Sequence, residues 1–424
     1  MKKFLLCILS ACLCLFSFSA CNETGEETNS VSEEKETYAV QDLSFEKNTD
    51  LEVGGGMVSF RAAGKSKELS EYKIAWAADG ERLKDYKYLA SYTTERDVYY
   101  YEIPYFIYIP HEAEQIVVES YKSGELIDKA TVDISNLKRS EKLFEFQVIS
   151  DLQLDDTSTL KHERAKTAFS QIKEFSPETA GIFIVGDMTD HGHENEYQEM
   201  NSIIDEVYGE NKPYIECIIG NHESFDGQSY SDLMKLYQKY TGHDKSYFSV
   251  EIEGLKFIAL GSVKASSEGV GVRCELGTEQ INWLEQELAA AGNETTFVFL
   301  HQPLKDTVSG SLSDLNQTWD GLNESEVARL RTIFKKHPNA ALFTGHTHWH
   351  LESERAALIG NGSDANFFNT ASVGYLWQGT GAGEEYDGSQ GLFVEVYRDY
   401  VVVRGREFQF NQWLTSAQFV FSRI

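Results

Sequence analysis

The spacing of apolar residues changes near position 140 and divides most of the chain into two predicted folded regions. Before that point, runs such as MVSFRA, YKIAWA and QIVVES alternate apolar with polar residues or are rich in β-branched and aromatic residues, which predicts strands. Turn pairs at positions 79–80 and 123–124 separate the runs. Residues 38–140 are therefore predicted to form a small all-β sandwich domain of immunoglobulin or fibronectin type, a spacer or packing partner without a cluster of candidate ligands.

In the second region, residues 141–424, strand patterns alternate with helix patterns. Apolar runs such as FEFQVIS, AGIFIVG, YIECIIG, TFVFLH and AALFTGH have strand length. Between them, helices are predicted near 159–175, 194–208, 229–240, 278–291 and 323–337, from apolar residues at helical spacing and from capping residues. The closing runs NFFNTASV, LFVEVYR and YVVVRGR predict strands only. The predicted fold class is therefore α/β, a layered domain with added antiparallel strands, preceded by the small all-β domain.

The N-terminus has the pattern of a targeting segment. Two lysines precede an apolar run over 4–20 that ends in small residues, which is typical of a secretory signal. The ending FSAC resembles a bacterial lipoprotein box, in which Cys21 would carry the lipid, so 1–21 is predicted to be a signal peptide. An uncleaved anchor and ordinary cleavage nearby remain alternatives. Residues 22–37 are polar and acidic and predict a disordered tether. The expected location is extracytoplasmic, lipid-anchored to a bacterial membrane, in the periplasm or at the cell surface.

Charge and cysteine content limit the classes of function. The formal net charge is -29, which argues against wrapping nucleic acid, because that binding relies on Lys and Arg. Of the six cysteines, four lie within the predicted signal peptide. Only Cys217 and Cys274 remain, without the spacing of a metal site, and the sequence leaves open whether they form a disulfide or are two buried thiols.

Five of the predicted strands end in side chains that can bind a metal ion. Ligands bind outside the carboxyl ends of strands in open α/β sheets, and seven of the eleven histidines fall in these loops. Any one residue alone could be a turn residue, a helix cap or a buried histidine, but five such strand ends together favour one shared site. The residues are Asp151, Gln153, Asp187, Asp190, His191, His193, Asn221, His222, Glu223, His301, His346, His348 and His350.

The donor types in this set indicate which metals it could hold. Asp, Asn and His supply nitrogen and oxygen without Cys, which suits Mn, Fe or Zn. There are enough donors for two ions, and a shared carboxylate would hold two cations about 3.5–4 Å apart, as in sites that activate water for phosphoryl transfer. Two divalent metal ions are the predicted cofactors.

The same motifs, in this order, resemble those of the calcineurin-like metallophosphoesterases. The pattern of that family is D-x-H, G-D-x-x, G-N-H-D/E, a single His and G-H-x-H. This chain has SDLQ, GDMTD, GNHE, LHQP and GHTH between about 144 and 350. An all-β domain in front of such a domain resembles the purple-acid-phosphatase branch and related bacterial lipoproteins. The resemblance implies a layered β-sandwich flanked by helices and a hydrolase acting on phosphoric ester bonds.

The resemblance also implies a role for each matching residue. Asp187 would bridge two metals. One site would be completed by Asp151, Gln153 and His348, and the other by Asn221, His301 and His346. His222 would not be a ligand; beside a metal-bridging hydroxide it would steer the phosphate and protonate the leaving oxygen, a task that suits an imidazole.

Two positions depart from the family pattern. Asp190 stands where the purple branch has a metal-binding Tyr, so a tyrosinate-bound ferric iron is not expected. Gln153 stands where His is usual, and its neutral amide oxygen predicts a looser, less Zn-selective site. One of the three extra histidines could replace the missing His, but all are more simply residues that orient ligands or lie in exposed loops. The residues expected to stand behind the ligands are Asp190, His191, His193, Glu223 and His350.

Two loops, over 304–322 and 373–391, are expected to frame the pocket. They carry aromatic residues that could hold a base, a sugar or an acyl chain, or could simply pack the loops. The aromatic residues are Trp319, Tyr375, Trp377 and Tyr386. The predicted function is an extracytoplasmic hydrolase of small phosphate mono- or diesters, with no nucleic-acid partner, a membrane contact through the lipid anchor alone and no predicted oligomeric state. The alternatives are a catalytically weakened metal-binding or scaffold lipoprotein and a metallo-nuclease.

Overall fold

The structure is a computed structural model, and it describes most of the chain beyond the predicted signal segment. The described residues are 37–47, 56–103, 109–110, 112–134, 142–319 and 321–423. The predicted signal peptide with Cys21, and the predicted tether up to residue 36, lie outside them. Within the described ranges no helix is both long and apolar enough to cross a membrane.

The first part of the described chain is all β, as the alternating pattern predicts. Its strands are β1 (Gln41–Lys47), β2 (Gly56–Arg61), β3 (Glu71–Ala78), β4 (Glu81–Arg82), β5 (Ala90–Thr93), β6 (Val98–Ile103), β7 (Gln115–Lys122) and β8 (Glu125–Asp133). They form a three-stranded sheet, β1-β2-β6, and a sheet of order β4-β3-β7-β8 in which β5 also pairs with β3. Phe60 stacks on Tyr99 at 4.9 Å between ring centroids, and the edge of Tyr72 meets both rings, so aromatic side chains fill the space between the sheets.

The second part alternates strands and helices and then ends in strands. Its elements are β9 (Lys142–Ile149), α1 (Thr159–Phe175), β10 (Ile182–Val185), α2 (Glu194–Tyr208), β11 (Ile215–Ile218), α3 (Tyr230–Thr241), β12 (Phe248–Ile252), β13 (Leu255–Leu260), α4 (Gly277–Ala291), β14 (Thr296–Leu300), α5 (Glu324–Lys336), β15 (Ala340–Thr344), β16 (Ala357–Leu358), β17 (Asn366–Asn369), β18 (Leu376–Gln378), β19 (Glu384–Tyr386), β20 (Gln390–Tyr397), β21 (Tyr400–Glu407) and β22 (Gln412–Ser422). The predicted helices agree with α1, α2, α3, α4 and α5 to within a residue or two at their ends. The predicted α/β fold class is confirmed.

Two six-stranded mixed sheets form the centre of this second part. Their strand orders are β11-β10-β9-β20-β21-β22 and β12-β13-β14-β15-β17-β16. Strands β9, β10 and β11 run parallel in the first sheet, and β13, β14, β15 and β17 run parallel in the second. Buried phenylalanines join the facing sheets; Phe183 of the first stacks on Phe299 of the second, with ring centroids 4.4 Å apart.

Helices cover the outer faces of both sheets. Phe169 of α1 and Met200 of α2 are buried in the same apolar cluster as Ile184 of β10, on the first sheet. Leu284 of α4 and Leu330 of α5 share a cluster with strands of the second sheet. The layers therefore run helix, sheet, sheet, helix, and the parallel strands end in loops whose side chains meet at one edge.

Trp413 of β22 joins the all-β part to the layered part. Its backbone N–H donates to the carbonyl of Asp85, and its ring lies 6.0 Å from that of Tyr86. The predicted domain boundary at 140 falls among residues outside the described ranges and stays a prediction.

Cys217 and Cys274 are buried free thiols and form no disulfide with each other. Burial raises the pKa of both thiols, so neither behaves as an activated nucleophile.

Candidate metal centre

Five of the residues expected to bind metal adopt left-handed backbone angles. The φ values are 53° for Asp151, 42° for Gln153, 50° for Asp187, 68° for His346 and 60° for His348. This region is uncommon for residues other than Gly, and such strain concentrates at functional sites. Backbone hydrogen bonds hold it in place, because the N–H of Asp151 and of Gln153 donate to the loop that carries Asp187. The sharp turns point these side chains at one another.

Two clusters of buried Asp and His side chains share Asp187. One atom from each of Asp187, His301 and His346 lies within 4.8 Å of the others, and the same holds for Asp151, Asp187 and His348. His301 Nε2 is 3.0 Å from Asp187 Oδ2, and His348 Nε2 is 2.9 Å from Asp151 Oδ1. The carboxylate common to both clusters is the arrangement that a pair of neighbouring cations requires.

The electrostatics of these clusters fit a bound cation. Asp151 and Asp187 are almost fully buried, and a buried carboxylate needs a positive partner. Burial by itself would lower the pKa of His301, but Asp187 and Asp151 outweigh it and raise that pKa to about 10. A proton on His301 thus supplies a positive charge that metal ions would otherwise supply. Burial lowers the pKa of His346 to about 3, so this imidazole is neutral and has a free lone pair.

The amide residues of the set, Gln153 and Asn221, are also buried beside the clusters. Gln153 is 1% exposed and its Oε1 has no hydrogen-bond partner. A buried oxygen without a partner is expected where a metal ion would be the partner. Asn221 Oδ1 accepts a hydrogen bond of 3.3 Å from Gln302 Nε2. The sequence reasoning missed Gln302, although it directly follows His301.

Two glycines allow these loops to approach closely. A Cβ at Gly220 would overlap the Asp187 carboxylate, and one at Gly345 would overlap Ser150. Neither position leaves room for a side chain beside the clusters.

Glu223 ties the loop after β10 to the loop after β11. Its fully buried carboxylate accepts backbone N–H groups from Asp187 at 3.0 Å, Met188 at 2.8 Å, Thr189 at 3.2 Å and Gly220 at 2.7 Å. Burial and the neighbouring Asp187 charge raise the pKa of Glu223. Glu223 therefore supports the backbone of both loops.

His222 lies at the rim of the clusters and is held by three contacts. Its backbone N–H donates to Asp187 Oδ1 at 2.8 Å, its Nδ1 is 2.7 Å from the carbonyl oxygen of Asp190, and its Nε2 is 4.0 Å from Asp187 Oδ2. A carbonyl only accepts, so Nδ1 carries the proton of that hydrogen bond and Nε2 faces the centre. Burial opposes the charged form of His222, but Asp187 and Asp190 raise its pKa to about 9. The ring also stacks on half-exposed Phe225 at 4.4 Å, a contact that sequence reasoning missed.

The acidic residues beyond the ligand set have local partners. The Asp190 carboxylate pairs with Lys161 at 3.0 Å, and the backbone carbonyl oxygen of Asp190 accepts a hydrogen bond from His222 Nδ1. Asp155 caps a turn, accepts from Thr157, and pairs with Lys161 at 2.8 Å.

The three extra histidines do not join the clusters that contain Asp187. His191 and His193 form a separate group with Glu196, and the ring of His350 stacks on Tyr386 at 4.4 Å. In the described part of the chain, the groups of Asp, Glu and His that contain Asp151 include no other histidine than His348.

The four aromatic loop residues divide into two that flank the clusters and two that pack behind them. Tyr375 lies 4.3 Å from the ring of His348, and Trp319 lies 6.2 Å from that of His346. Trp377 meets the edge of Tyr375 at 5.9 Å, and Tyr386 packs on His350.

A layered α/β fold with paired Asp–His clusters at its strand ends is the arrangement expected of a metal-dependent hydrolase. Residues 145–350 match the sequence model of the calcineurin-like phosphoesterases. The chain therefore contains a calcineurin-like phosphoesterase domain and is a hydrolase of phosphoester bonds.

Similarity to individual proteins is low. A probable cyclic nucleotide phosphodiesterase of Rhodococcus erythropolis is 26% identical over 249 residues, which cover 56% of this chain and 73% of that protein. A purple acid phosphatase from yellow lupin superposes with a TM-score of 0.49 at 11% identity, over 91% of this chain and 74% of the lupin chain. A 5'-nucleotidase precursor from Thermus thermophilus gives a TM-score of 0.32 at 11% identity, over 66% of this chain and 54% of its own.

Proposed function

We propose that this chain hydrolyses small phosphate diesters at a centre of two divalent metal ions. The observation that carries the proposal is the Asp187 carboxylate, which is common to both clusters, with His222 Nε2 4.0 Å away. Asp151, Gln153, Asp187 and His348 would hold one ion, and Asn221, Asp187, His301 and His346 the other. Bound there, the ions would lower the pKa of a water molecule and offset charge on the phosphate oxygens.

The side chains of this protein would then handle the leaving group. The carbonyl of Asp190 fixes the His222 tautomer, so a protonated ring presents an N–H at Nε2. As the water oxygen bonds to phosphorus and the ester P–O bond breaks, this proton would pass to the leaving oxygen, and the water would release its proton to solvent. His222 would thus make an alcohol, rather than a strongly basic alkoxide, the leaving group.

Charge and shape support a diester over a monoester. Lys161, the cationic side chain in contact with Asp190, is already paired with two carboxylates. A diester carries one negative charge and a monoester two, and the Lys161 ammonium, which is already paired, is not available to offset the second charge. Tyr375 and Trp319 would contact an aromatic or ring-shaped substituent, and the Rhodococcus relative is described as a phosphodiesterase.

Hydrolysis of bis-p-nitrophenyl phosphate and of p-nitrophenyl phosphate by the Mn²⁺-loaded protein tests the proposal. We expect the diester to be the better substrate, and His222→Ala to lower kcat by about 10²- to 10⁴-fold while metal binding is retained. His337→Ala, which removes a partly exposed imidazole at the end of α5, is the matched control and should leave kcat unchanged.

Each other outcome points to a different function. A better rate with the monoester would make the protein a phosphatase, and cleavage of DNA or RNA would make it a nuclease. If the metal-loaded chain hydrolyses no phosphoester in a broad panel, the result would favour the alternative function of a metal-binding scaffold. The net charge of -29 supports a small substrate over a nucleic acid.

We also propose that the protein acts outside the cytosol, anchored through a lipid on Cys21. The support is the basic and apolar pattern over 1–21 that ends in FSAC. Cells grown with labelled palmitate should yield a labelled membrane-bound protein, and Cys21→Ala should lose both the label and the membrane association. A variant that is labelled and sediments like the wild type would rule the anchor out.

A further inference from the structure

We infer that His191, His193 and Glu196 form a third metal site, separate from the two clusters that share Asp187, for a divalent transition metal such as Zn²⁺. One ligand atom from each of these three residues lies within 4.8 Å of the other two. The residues lie in the loop after β10 and in the first turn of α2. Imidazole and carboxylate donors together suit Zn²⁺ and its neighbours among the divalent transition metals.

A carboxylate contacts each imidazole of this site. His191 Nδ1 lies 2.9 Å from Glu196 Oε1, and His193 Nε2 lies 3.0 Å from Asp226 Oδ2. An ionised carboxylate accepts, so His193 Nε2 carries the proton and the lone pair of a neutral His193 ring sits on Nδ1, whereas a metal bound by both His191 and Glu196 would take the place of the proton between His191 Nδ1 and Glu196 Oε1. A carboxylate on one nitrogen and a metal on the other, the arrangement that Asp226 would give His193, is usual for a metal-binding histidine.

The site is both accessible and pre-formed. The side chains of His191 and His193 are 45% and 44% exposed, whereas that of Glu196 is 2% exposed. Glu196 Oε2 also accepts the backbone N–H of His191 and of His193, each at 3.0 Å, so the buried carboxylate fixes the loop between them. The two rings are nearly parallel, at 17°, with centroids 5.5 Å apart. A cation from solvent can therefore reach two imidazoles that are already held side by side.

The local charge favours a divalent cation. Glu196 and Asp226 contribute two negative charges beside the two rings. The positive end of the α2 dipole opposes a cation here, but two carboxylates in direct contact with the rings outweigh the partial charge of a helix end. Hydrogen bonding and helix capping explain the position of Glu196, and the two half-exposed rings beside it add the nitrogen donors that a transition-metal ion needs.

A metal in this site would connect two segments that also carry the proposed catalytic residues. His191 and His193 follow Asp187 and Asp190 along the chain, and Asp226 follows His222. The segments already touch, because Gln228 Nε2 donates to the carbonyl of His191 at 2.7 Å. A bound ion would restrain the segment over 222–228 against the loop over 187–193 without being a ligand of the catalytic centre.

Zn²⁺ titration of the chelator-treated full chain, by calorimetry and equilibrium dialysis, tests the inference. We expect His191→Ala and His193→Ala each to bind one Zn²⁺ fewer than the wild type. His162→Ala is the matched control, because it removes a partly exposed imidazole that pairs with Glu199 at 3.3 Å, and it should bind as the wild type does. Equal Zn²⁺ stoichiometry and affinity in the wild type and all three variants would overturn the inference of a third metal site.

Two further measurements keep the test decisive if an alanine variant folds poorly. Asp226→Asn retains both imidazoles and should weaken the third Zn²⁺ by about 10- to 100-fold, as loss of an orienting partner does elsewhere. Hydrogen exchange of the segment over 222–228 should slow when the third equivalent of Zn²⁺ binds to the wild type, and should slow less in Asp226→Asn at the same Zn²⁺ concentration. Unchanged affinity in Asp226→Asn, or exchange that does not respond to the third equivalent, would contradict the inference. None of these readouts requires the chain to hydrolyse a phosphoester.

Discussion

At the scale of single residues, Gln153 sets this centre apart from the family pattern. The structure places its amide oxygen in the interior without a hydrogen-bond partner, next to the Asp151–His348 pair. A neutral oxygen is a poorer donor for Zn²⁺ than an imidazole nitrogen, whereas Mn²⁺ accepts oxygen well. The ion at this position should therefore bind more weakly than the other ion, and the position should be less selective for Zn²⁺.

The substitution Gln153→His should tighten Zn²⁺ binding to one of the two catalytic sites by on the order of tenfold, about 1.4 kcal/mol. Mn²⁺ affinity should change less, because Mn²⁺ gains less from nitrogen. Calorimetric titration of metal-free protein measures both. Gln198→His, which adds an imidazole at an exposed position of α2, is the control. Equal Zn²⁺ affinities in wild type and Gln153→His would show that residue 153 is not a ligand.

The sequence predicted which residues meet, but not all of their neighbours. Asp151, Asp187, His301, His346 and His348 could be found because each follows an apolar strand in a recognisable motif. Phe225 against His222 and Gln302 against Asn221 could not, because stacking and side-chain hydrogen bonds depend on how two loops face each other. No pattern within one loop contains that information.

At the scale of elements, one buried carboxylate organises two loops. Glu223 accepts backbone N–H groups from the loop after β10 and from Gly220 after β11, so the backbone around Asp187 is fixed from behind. Hydrogen bonds to a charged acceptor are stronger than neutral ones, and an unpaired buried N–H is costly. The position of Asp187 therefore depends on Glu223 as well as on its own strand.

Glu223→Gln should lower the free energy of unfolding by about 3 kcal/mol, because the amide keeps one acceptor oxygen but turns its NH₂ group toward backbone donors. Metal affinity should fall as well, since the Asp187 loop loses its support. Urea unfolding of the metal-free protein and a metal titration measure the two effects. Glu206→Gln, which removes an exposed partner of Lys166, should cost less than about 1 kcal/mol. A stable Glu223→Gln protein with unchanged metal affinity would contradict this role.

At the scale of the whole molecule, the all-β part and the layered part meet around Trp413. This side chain is 3% exposed and lies between Tyr86 and the aromatic rings of Phe175 and Phe393. The guanidinium of Arg406 lies over the same ring at 4.8 Å. The contact is thus part of a continuous aromatic core. The N-terminal strands therefore pack against the layered part and are more than a loosely tethered spacer.

Trp413→Ala should destabilise the protein by about 3–5 kcal/mol, the cost of removing a buried aromatic ring and leaving a cavity. Thermal unfolding followed by circular dichroism should show a lower midpoint, and the all-β part should become more accessible to protease. Trp283→Ala, at a partly exposed position of α4, should have a smaller effect. If both variants unfold at the wild-type temperature, the junction contributes little.

The sequence by itself determined the succession of strands and helices, the α/β class and the strand ends that carry metal-binding side chains. These features follow from local periodicity and from the rule that parallel strands present their carboxyl ends at one edge. Only the tertiary structure decided that Asp187 is common to two clusters, that Glu223 supports it, and that His191 and His193 face Glu196 instead of Asp151. Those arrangements depend on left-handed turns and on contacts between loops far apart in the chain, where distances of a few ångströms decide which atoms meet.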